Sequence, residues 1–324
     1  MARRNAAAEI RRIADERILV LDGAWGTMLH GAGLTREDYE GTRFQGHEID
    51  VTGDPDLLNL TRPDLVRSIH DRYLAAGADI TTTNTFTATS IGQADYGLEG
   101  AVYEMNLAGA RVAREAAGDR FVAGSVGPLN VALSLSPKVD DPSYRAKSFD
   151  EVKAAYAEQF TALVEGGVDV LLLETIFDTL NAKAAIVAAR ETVPDTPLWL
   201  SVTIVDLSGR TLSGQTLEAF WTSIAHADPL IVGINCALGA RELRPYIAEL
   251  SRLAPCLVSV HPNAGLPNAF GGYDETPAVT SSLLREFAQA GFVNIAGSCC
   301  GSTPEHTAAI AAAVSDVPPR LHAR

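Results

Sequence analysis

GGVDVLLLETIFDTLNAKAAIVAAR, residues 166–190, is the stretch of sequence that decides the fold. Its first part is a nearly continuous apolar run at 169–175, which is typical of a parallel strand buried on both faces. Its second part begins a helical pattern at 179–193, which carries alanines and aliphatic residues at helical spacing. The glycine pair before the strand suits a helix end. The stretch therefore predicts a helix-to-strand turn followed by one βα unit.

The same unit recurs along the whole chain. Helical patterns are predicted at 62–76, 99–117, 151–165, 179–193, 216–226, 241–253, 278–290 and 305–314. Strands are predicted at 18–25, 78–84, 121–128, 169–175, 198–204, 230–236, 256–264 and 294–301. Eight βα units in about 300 residues predict an α/β fold of the (βα)8 TIM-barrel type. A doubly wound open sheet is the alternative, but no GxGxxG follows the first strand.

The connections between these elements are unequal in length. Helix-to-strand connections are short, whereas the strand-to-helix connections at 31–61, 129–149, 205–215 and 262–277 are long. In a barrel all of these long loops gather at the carboxyl ends of the strands, where active sites lie. We predict a single barrel domain over 18–315, with a helical extension at 1–17 and a tail at 316–324.

Composition excludes some classes of partner. Among the 324 residues, 40 are acidic and 26 are lysine or arginine, giving a net charge of −14. This charge disfavours nucleic acid, whose binding requires clustered cations. Membrane insertion is not expected, because the sequence contains no apolar run of spanning length. The basic N-terminus lacks the apolar core of an export signal, so a cytoplasmic location is expected.

Three of the four cysteines fall at predicted strand ends on the loop-rich face. Cys236 ends strand six, and Cys299 with Cys300 ends strand eight. Three thiolates converging on Zn²⁺ would leave one tetrahedral position open, as in catalytic zinc sites. Burial as ordinary core thiols is the alternative, because free cysteines are often buried. Cys256 opens strand seven, so we expect it at the opposite end of the barrel.

Several long segments resemble a known family. GINCALGA at 233–240, HPNAGLPNAFGGYD at 261–274 and GSCCGSTPEH at 297–306 are similar to the zinc-binding segments of homocysteine S-methyltransferases. NAGLPNAFG and ETIFDTLNAKAA at 174–185 resemble the cobalamin-dependent methionine synthases within that family. The resemblance runs from about residue 18 to about residue 314. It implies zinc on Cys236, Cys299 and Cys300, with the homocysteine sulfur in the open position.

The resemblance also implies how the rest of homocysteine is bound. It assigns the substrate ammonium to Asp22 and Glu174, which lie toward the carboxyl ends of strands one and four. Backbone N–H groups around Gly26 and Thr27 could receive the carboxylate, since glycine permits close approach. Asn263 could fill the fourth zinc position when homocysteine is absent. We assign no separate catalytic side chain.

The methyl donor implied by this resemblance is methylcobalamin. No cobalamin or folate module is recognisable in this sequence, so both are expected on another module or subunit. Enzymes that use betaine or S-methylmethionine directly are the nearest alternative. A metallohydrolase fits poorly because no HExxH is present, and a non-catalytic barrel scaffold is the remaining alternative. Trp25 and residues 129–132 depart from the usual synthase pattern.

Overall fold

A computed structural model describes residues 5–322 and shows the predicted α/β barrel. All strand pairs are parallel, and the order around the sheet is β1-β8-β7-β6-β5-β4-β3-β2. A parallel bridge between Leu21 and Ile80 brings the two ends of the sheet together. The strands are β1 Leu19–Val20, β2 Ile80–Thr82, β3 Phe121–Val126, β4 Val170–Ile176, β5 Leu198–Val202, β6 Ile231–Gly239, β7 Leu257–Asn263 and β8 Ile295–Ala296. The (βα)8 prediction is confirmed.

Helices surround the sheet and connect successive strands. All eight predicted crossover helices are present, with bounds within a few residues of those expected. The α-helices are α1 Ala6–Glu16, α2 Trp25–Gly31, α3 Arg36–Glu40, α4 Leu58–Thr61, α5 Pro63–Ala75, α6 Ser90–Gln93, α7 Val102–Ala117, α8 Phe149–Gly166, α9 Thr179–Thr192, α10 Leu217–Ile224, α11 Ala240–Leu253, α12 Pro277–Gln289 and α13 Pro304–Val314.

The N-terminal helix α1 closes the bottom of the barrel. Ile10 and Ala14 are fully buried and pack in one cluster with the first residues of the strands, including Ile80, Phe121 and Val170. Residues 1–4 of the predicted extension at 1–17 lie outside the described residues. Because α1 fills the amino-terminal end of the strands, the opposite end is where a substrate can enter.

The last part of the chain is bound to the barrel through Arg320. Its guanidinium is buried and donates hydrogen bonds to the carbonyl groups of Ser251 and Cys256 at the end of α11 and the start of β7. Its carbonyl accepts a hydrogen bond from Asn294. Within the tail predicted at 316–324, residues 323–324 lie outside the described part of the chain.

The first and the last strands fall furthest short of their predicted lengths. The run at 18–25 gives only Leu19–Val20, and Trp25 begins helix α2 instead of ending a strand. The chain turns into the helix past Gly23, where a Cβ atom would come within 2.8 Å of Tyr73 and Ser302. The run at 294–301 gives only Ile295–Ala296. Apolar composition alone did not distinguish these turns from strand.

The long segment predicted as a loop at 31–61 contains two short helices, Arg36–Glu40 and Leu58–Thr61. The first begins with a capping box in which Thr35 and Asp38 exchange hydrogen bonds. Across residues 5–322, no helix is both long enough and apolar enough to cross a lipid bilayer.

Candidate metal centre and substrate site

The three cysteines predicted as metal ligands come together at the carboxyl ends of the strands. The sulfur atoms of Cys236 and Cys300 are 3.6 Å apart, and those of Cys299 and Cys300 are 4.0 Å apart. All three sulfurs lie within 4.8 Å of one another. Four ligands in a tetrahedron at the usual Zn–S distance of about 2.3 Å have sulfur atoms about 3.8 Å apart. The cluster therefore has the dimensions of a three-sulfur zinc site.

The charge of the cluster also favours a bound cation. Hydrogen bonds from Cys236 and Cys299 lower the pKa of Cys300, whereas Cys299 has a raised pKa because it makes hydrogen bonds to the other two thiols and is buried. Three neighbouring thiolates repel one another, so without a cation the cluster would not carry three negative charges. Sulfur ligands select zinc and other soft metals.

Local backbone structure brings the cysteines to this point. Cys236 does not end β6 as predicted, because the strand continues to Gly239 after a register shift that begins beyond Asn235. Cys299 and Cys300 follow β8 in a loop instead of ending the strand. The N–H of Cys299 donates to Pro262 at 2.7 Å, and the Cys300 carbonyl accepts from Ala264 at 2.9 Å. The loop is therefore held against the end of β7.

Cys256 lies away from this cluster, as the sequence predicted. It directly precedes β7, and its carbonyl accepts a hydrogen bond from Arg320 at the amino-terminal end of the strands. Burial raises the pKa of the Cys256 thiol to about 11. It is a protonated, partly buried thiol at the opposite end of the barrel. Its replacement is therefore a matched control for experiments that remove one of the other three cysteines.

Asp22 lies two residues after β1, next to the bridge residue Leu21, and is almost completely buried. Its carboxylate accepts hydrogen bonds from the backbone N–H of Thr82 at 2.7 Å and from the hydroxyl groups of Thr81 and Thr82 at 2.9 and 3.1 Å. Burial raises the pKa of Asp22 to about 7 despite these bonds, and the charge of Glu174 adds to the rise. Asp22 is thus a buried carboxyl group without a cationic partner among the hydrogen bonds and ion pairs described.

Glu174 is the second carboxylate at the mouth. It lies in β4, where Ser125 of the neighbouring strand β3 donates a hydrogen bond to its Oε1 atom at 2.6 Å. The Nε2 atom of His261 is 3.6 Å from its Oε2 atom. His261 is buried and neither ring nitrogen has a hydrogen-bond partner. The charge of Glu174 acts on Asp22, so a cation beside Glu174 would also be attracted by Asp22.

Gly26 and Thr27 lie in the first turn of α2, whose backbone N–H groups have no acceptor within the helix. A Cβ atom at Gly26 would meet nothing within 4 Å, so the space beside it is open. The Thr27 hydroxyl accepts a hydrogen bond from the N–H of Gly301, next to the cysteine pair. Trp25 donates to Thr82 at 3.0 Å and so belongs to the wall around Asp22.

Asn263 is the last residue of β7 and is buried, but its Oδ1 atom has no hydrogen-bond partner. It pairs in register with Gly239, three residues beyond Cys236. The cysteine-pair loop bonds to the residues on either side of it, Pro262 and Ala264. An unpartnered oxygen at this position is compatible with the predicted role as a displaceable metal ligand.

Several residues of the site were missed from the sequence. Ser125, Thr81 and Thr82 bind the two carboxylates, and they are inconspicuous polar residues within apolar strands. Tyr273 packs directly over Gly301, where a Cβ atom would come within 2.3 Å of it. Burial and the charges of the adjacent cysteines raise the pKa of Tyr273 to about 12. Its position in the quoted segment 261–274 was the only signal available.

The chain matches known proteins over most of its length. Residues 19–314 match the family model described as homocysteine S-methyltransferase. The homocysteine methyltransferase MmuM from Escherichia coli, in its metallated form, is 25% identical, with a TM-score of 0.73 over 93% of this chain and 98% of that one. Its oxidised form is also 25% identical, with a TM-score of 0.72 over 91% and 95%. The chain belongs to the homocysteine S-methyltransferase family.

Proposed function

We propose that this protein is a zinc-dependent methyltransferase that converts homocysteine to methionine, taking the methyl group from methylcobalamin held on another module or subunit. The observation that carries the proposal is the cluster of Cys236, Cys299 and Cys300, with sulfur spacings that suit a tetrahedral zinc site. MmuM, the similar protein from Escherichia coli, also has a metallated form. When bound, zinc would hold the homocysteine sulfur as a thiolate at neutral pH and direct it toward the methyl group.

The two carboxylates would bind the other end of homocysteine. An ammonium group between Asp22 and Glu174 would compensate the burial of Asp22, which is the main cause of its raised pKa, and the smaller repulsion by the charge of Glu174. Ser125 fixes the orientation of Glu174 by donating a hydrogen bond to it, and Thr81 and Thr82 do the same for Asp22. The substrate carboxylate would accept hydrogen bonds from the free N–H groups near Gly26 and Thr27.

Asn263 would occupy the fourth position on the metal until homocysteine replaces it. Its buried oxygen lacks any other partner, and a neutral amide oxygen is a weak ligand that a thiolate displaces. This arrangement would keep the site closed to other ligands between reaction cycles.

The rim of the mouth supports a protein-bound methyl donor. Twelve large hydrophobic residues within 5–322 are more than a third exposed, and all but Leu321 lie on strand-to-helix connections or on the first turn of the following helix. Val139, Leu207 and Phe270 are the most exposed of those on the rim. An apolar rim of this kind is typical of a surface that another protein covers. A small-molecule donor would not require it.

A second candidate is a homocysteine methyltransferase that uses betaine or S-methylmethionine directly. MmuM, which matches this chain over 98% of its own length, is named a homocysteine methyltransferase, a name compatible with either kind of donor. In either reaction the same bonds change: the sulfur–methyl bond forms as the bond between methyl and donor breaks. The two candidates differ only in the donor.

Metal analysis and donor assays test the proposal. Replacing Cys236, Cys299 or Cys300 by alanine should abolish binding of one zinc per chain, whereas Cys256→Ala, the matched control, should retain it. The purified protein should form methionine slowly from free methylcobalamin and none from methyltetrahydrofolate alone. A matching cobalamin-bearing protein should increase the rate greatly, since positioning reactants contributes roughly 7–11 kcal/mol. Turnover with betaine or S-methylmethionine but not methylcobalamin would establish the second candidate.

A further inference from the structure

Strands β4 and β6 are irregular at the same level of the barrel. In β4 the register with β5 shifts between Leu173 and Ile176, and in β6 the register with β7 shifts between Asn235 and Gly239. Three residues there have left-handed backbone, namely Thr175 with φ +57°, Cys236 with φ +59° and Ala237 with φ +55°. Asp228 is the only other non-glycine residue of this kind within 5–322. The distortions therefore cluster beside Glu174 and at a metal-site cysteine.

Left-handed backbone is unfavourable at these residues. The Cβ atom of an L-residue lies too close to the following carbonyl oxygen in this conformation, and a β-branched residue such as Thr175 rarely adopts it. Such conformations persist where neighbouring contacts hold them in place, and they occur at functional sites. A bulge also redirects the side chains around it, because side chains alternate between the two faces of a regular strand. The two bulges therefore determine where Glu174 and Cys236 point.

One side chain connects the two bulges. Asn235 is fully buried, and its Oδ1 atom accepts hydrogen bonds from the N–H of Thr175 at 3.0 Å and from the hydroxyl of Ser201 at 2.7 Å. Its Nδ2 atom donates to Oγ1 of Thr175 at 2.9 Å. Ser201 belongs to β5, which lies between β4 and β6 in the sheet. The amide therefore reaches across one strand and joins the residue after Glu174 to the residue before Cys236.

We infer that Asn235 is a positioning residue that sets the separation between the Glu174 carboxylate and the cysteine cluster, and thereby selects homocysteine over shorter aminothiols. The inference rests on the proposed function, in which the ammonium binds at Glu174 and the sulfur at the metal. A ligand gains from both ends only if the spacing between them matches that of the two sites. Cysteine, one methylene shorter than homocysteine, would not span the separation that Asn235 maintains.

Two variants weaken this connection from opposite sides. Asn235→Ala removes all three hydrogen bonds, and Thr175→Val removes only the bond at Oγ1 while keeping a β-branched side chain. The matched control is Asn294→Ala. Asn294 is also fully buried, and it links β7 and the C-terminal segment by accepting from Val258 and donating to Arg320, at the opposite end of the barrel. Thermal unfolding identifies any variant that does not fold.

The experiment compares three ligands on the zinc-loaded proteins by calorimetry. Homocysteine uses both ends of the site, propanethiol uses only the metal, and cysteine tests the spacing. Zinc content should remain one per chain in all variants. Asn235→Ala should bind homocysteine at least about tenfold more weakly, because the hydrogen bonds that hold Glu174 in position are lost. Its affinity for propanethiol should change by less than about twofold, since that ligand does not reach Glu174. The preference for homocysteine over cysteine should fall in parallel.

Thr175→Val should weaken homocysteine binding relative to propanethiol, and relative to cysteine, by a smaller factor than Asn235→Ala. If Asn235→Ala does not fold, the comparison is made with Thr175→Val instead. The inference is overturned if homocysteine and propanethiol lose affinity equally, or if Asn294→Ala has the same effect as Asn235→Ala. Failure of the proposed function is recognised separately, since the unaltered zinc-loaded protein would then not bind homocysteine at all.

Discussion

Replacing Asp22 by asparagine would remove a buried negative charge while preserving the size and shape of the side chain. The asparagine oxygen could still accept hydrogen bonds from the N–H of Thr82 and the hydroxyl of Thr81, which now bind the carboxylate. Its amide group could donate to the Thr82 hydroxyl, because hydroxyl groups accept as well as donate. We therefore expect the variant to fold without losing a hydrogen bond.

The magnitude of the effect follows from the pKa of Asp22, which rises from 3.8 to about 7 on folding, chiefly because of burial. Between these two values the folded protein holds a proton that the unfolded chain has lost, so its stability decreases as the pH rises from about 4 to about 7. A shift of about three pKa units corresponds to about 4 kcal/mol once the pH exceeds the folded pKa. Asparagine has no such pH dependence.

Urea unfolding of the metal-free protein, measured from about pH 5 to about pH 8, tests this reasoning. The free energy of unfolding of Asp22→Asn, relative to the unaltered protein, should increase by about 2.5 kcal/mol over that range. Taking the difference between the two proteins cancels the other acidic groups. Parallel curves would refute the reasoning, because they would show that Asp22 does not carry an unfavourable charge. The same variant should bind homocysteine more weakly, so stability and affinity would change in opposite directions.

Three further changes give measurable outcomes. Glu174→Gln keeps an acceptor for the Ser125 hydroxyl but removes the negative charge. Homocysteine affinity, measured by calorimetry, should therefore fall roughly ten- to a hundredfold while zinc is retained. Unchanged affinity would show that Glu174 does not bind the substrate. Ala237→Gly relieves left-handed backbone and should raise the free energy of unfolding by up to about 1 kcal/mol without altering zinc content; destabilisation in urea would contradict this. Arg320→Met leaves the buried carbonyl groups of Ser251 and Cys256 without donors and should lower the free energy of unfolding by at least about 2 kcal/mol. A smaller loss in urea unfolding would mean that the C-terminal segment contributes little to stability.

The regular parts of the barrel could be predicted from the sequence because their physical signals are local. A run such as 198–204 is mostly apolar and β-branched or aromatic, and the observed strand Leu198–Val202 lies within it. The run at 294–301 was predicted too long for the same reason. After Ala296 the backbone still donates hydrogen bonds to the carbonyl groups of Val260 and Pro262 in β7, but it leaves the regular strand pairing. Residue type alone did not predict where this change occurs.

The bulges at Thr175 and Cys236 could not be predicted, because left-handed backbone at a threonine or cysteine opposes the preferences of those residues. They depend on Asn235, whose partners are 60 and 34 residues away in the sequence. The cysteines were recognisable by residue type and approximate position. The contacts that aim them depend on the assembled barrel, so single-sequence patterns contain little information about them.

Helix α1 has a consequence for the order of events in the reaction. Because Ile10 and Ala14 fill the amino-terminal end of the barrel, substrate and product share the mouth at the other end. A methyl donor seated on that mouth would block exchange of the amino acid. We therefore expect homocysteine to bind before the donor and methionine to leave after it. Steady-state kinetics should then show substrate inhibition by excess donor, which traps methionine in the barrel, with no such inhibition by excess homocysteine.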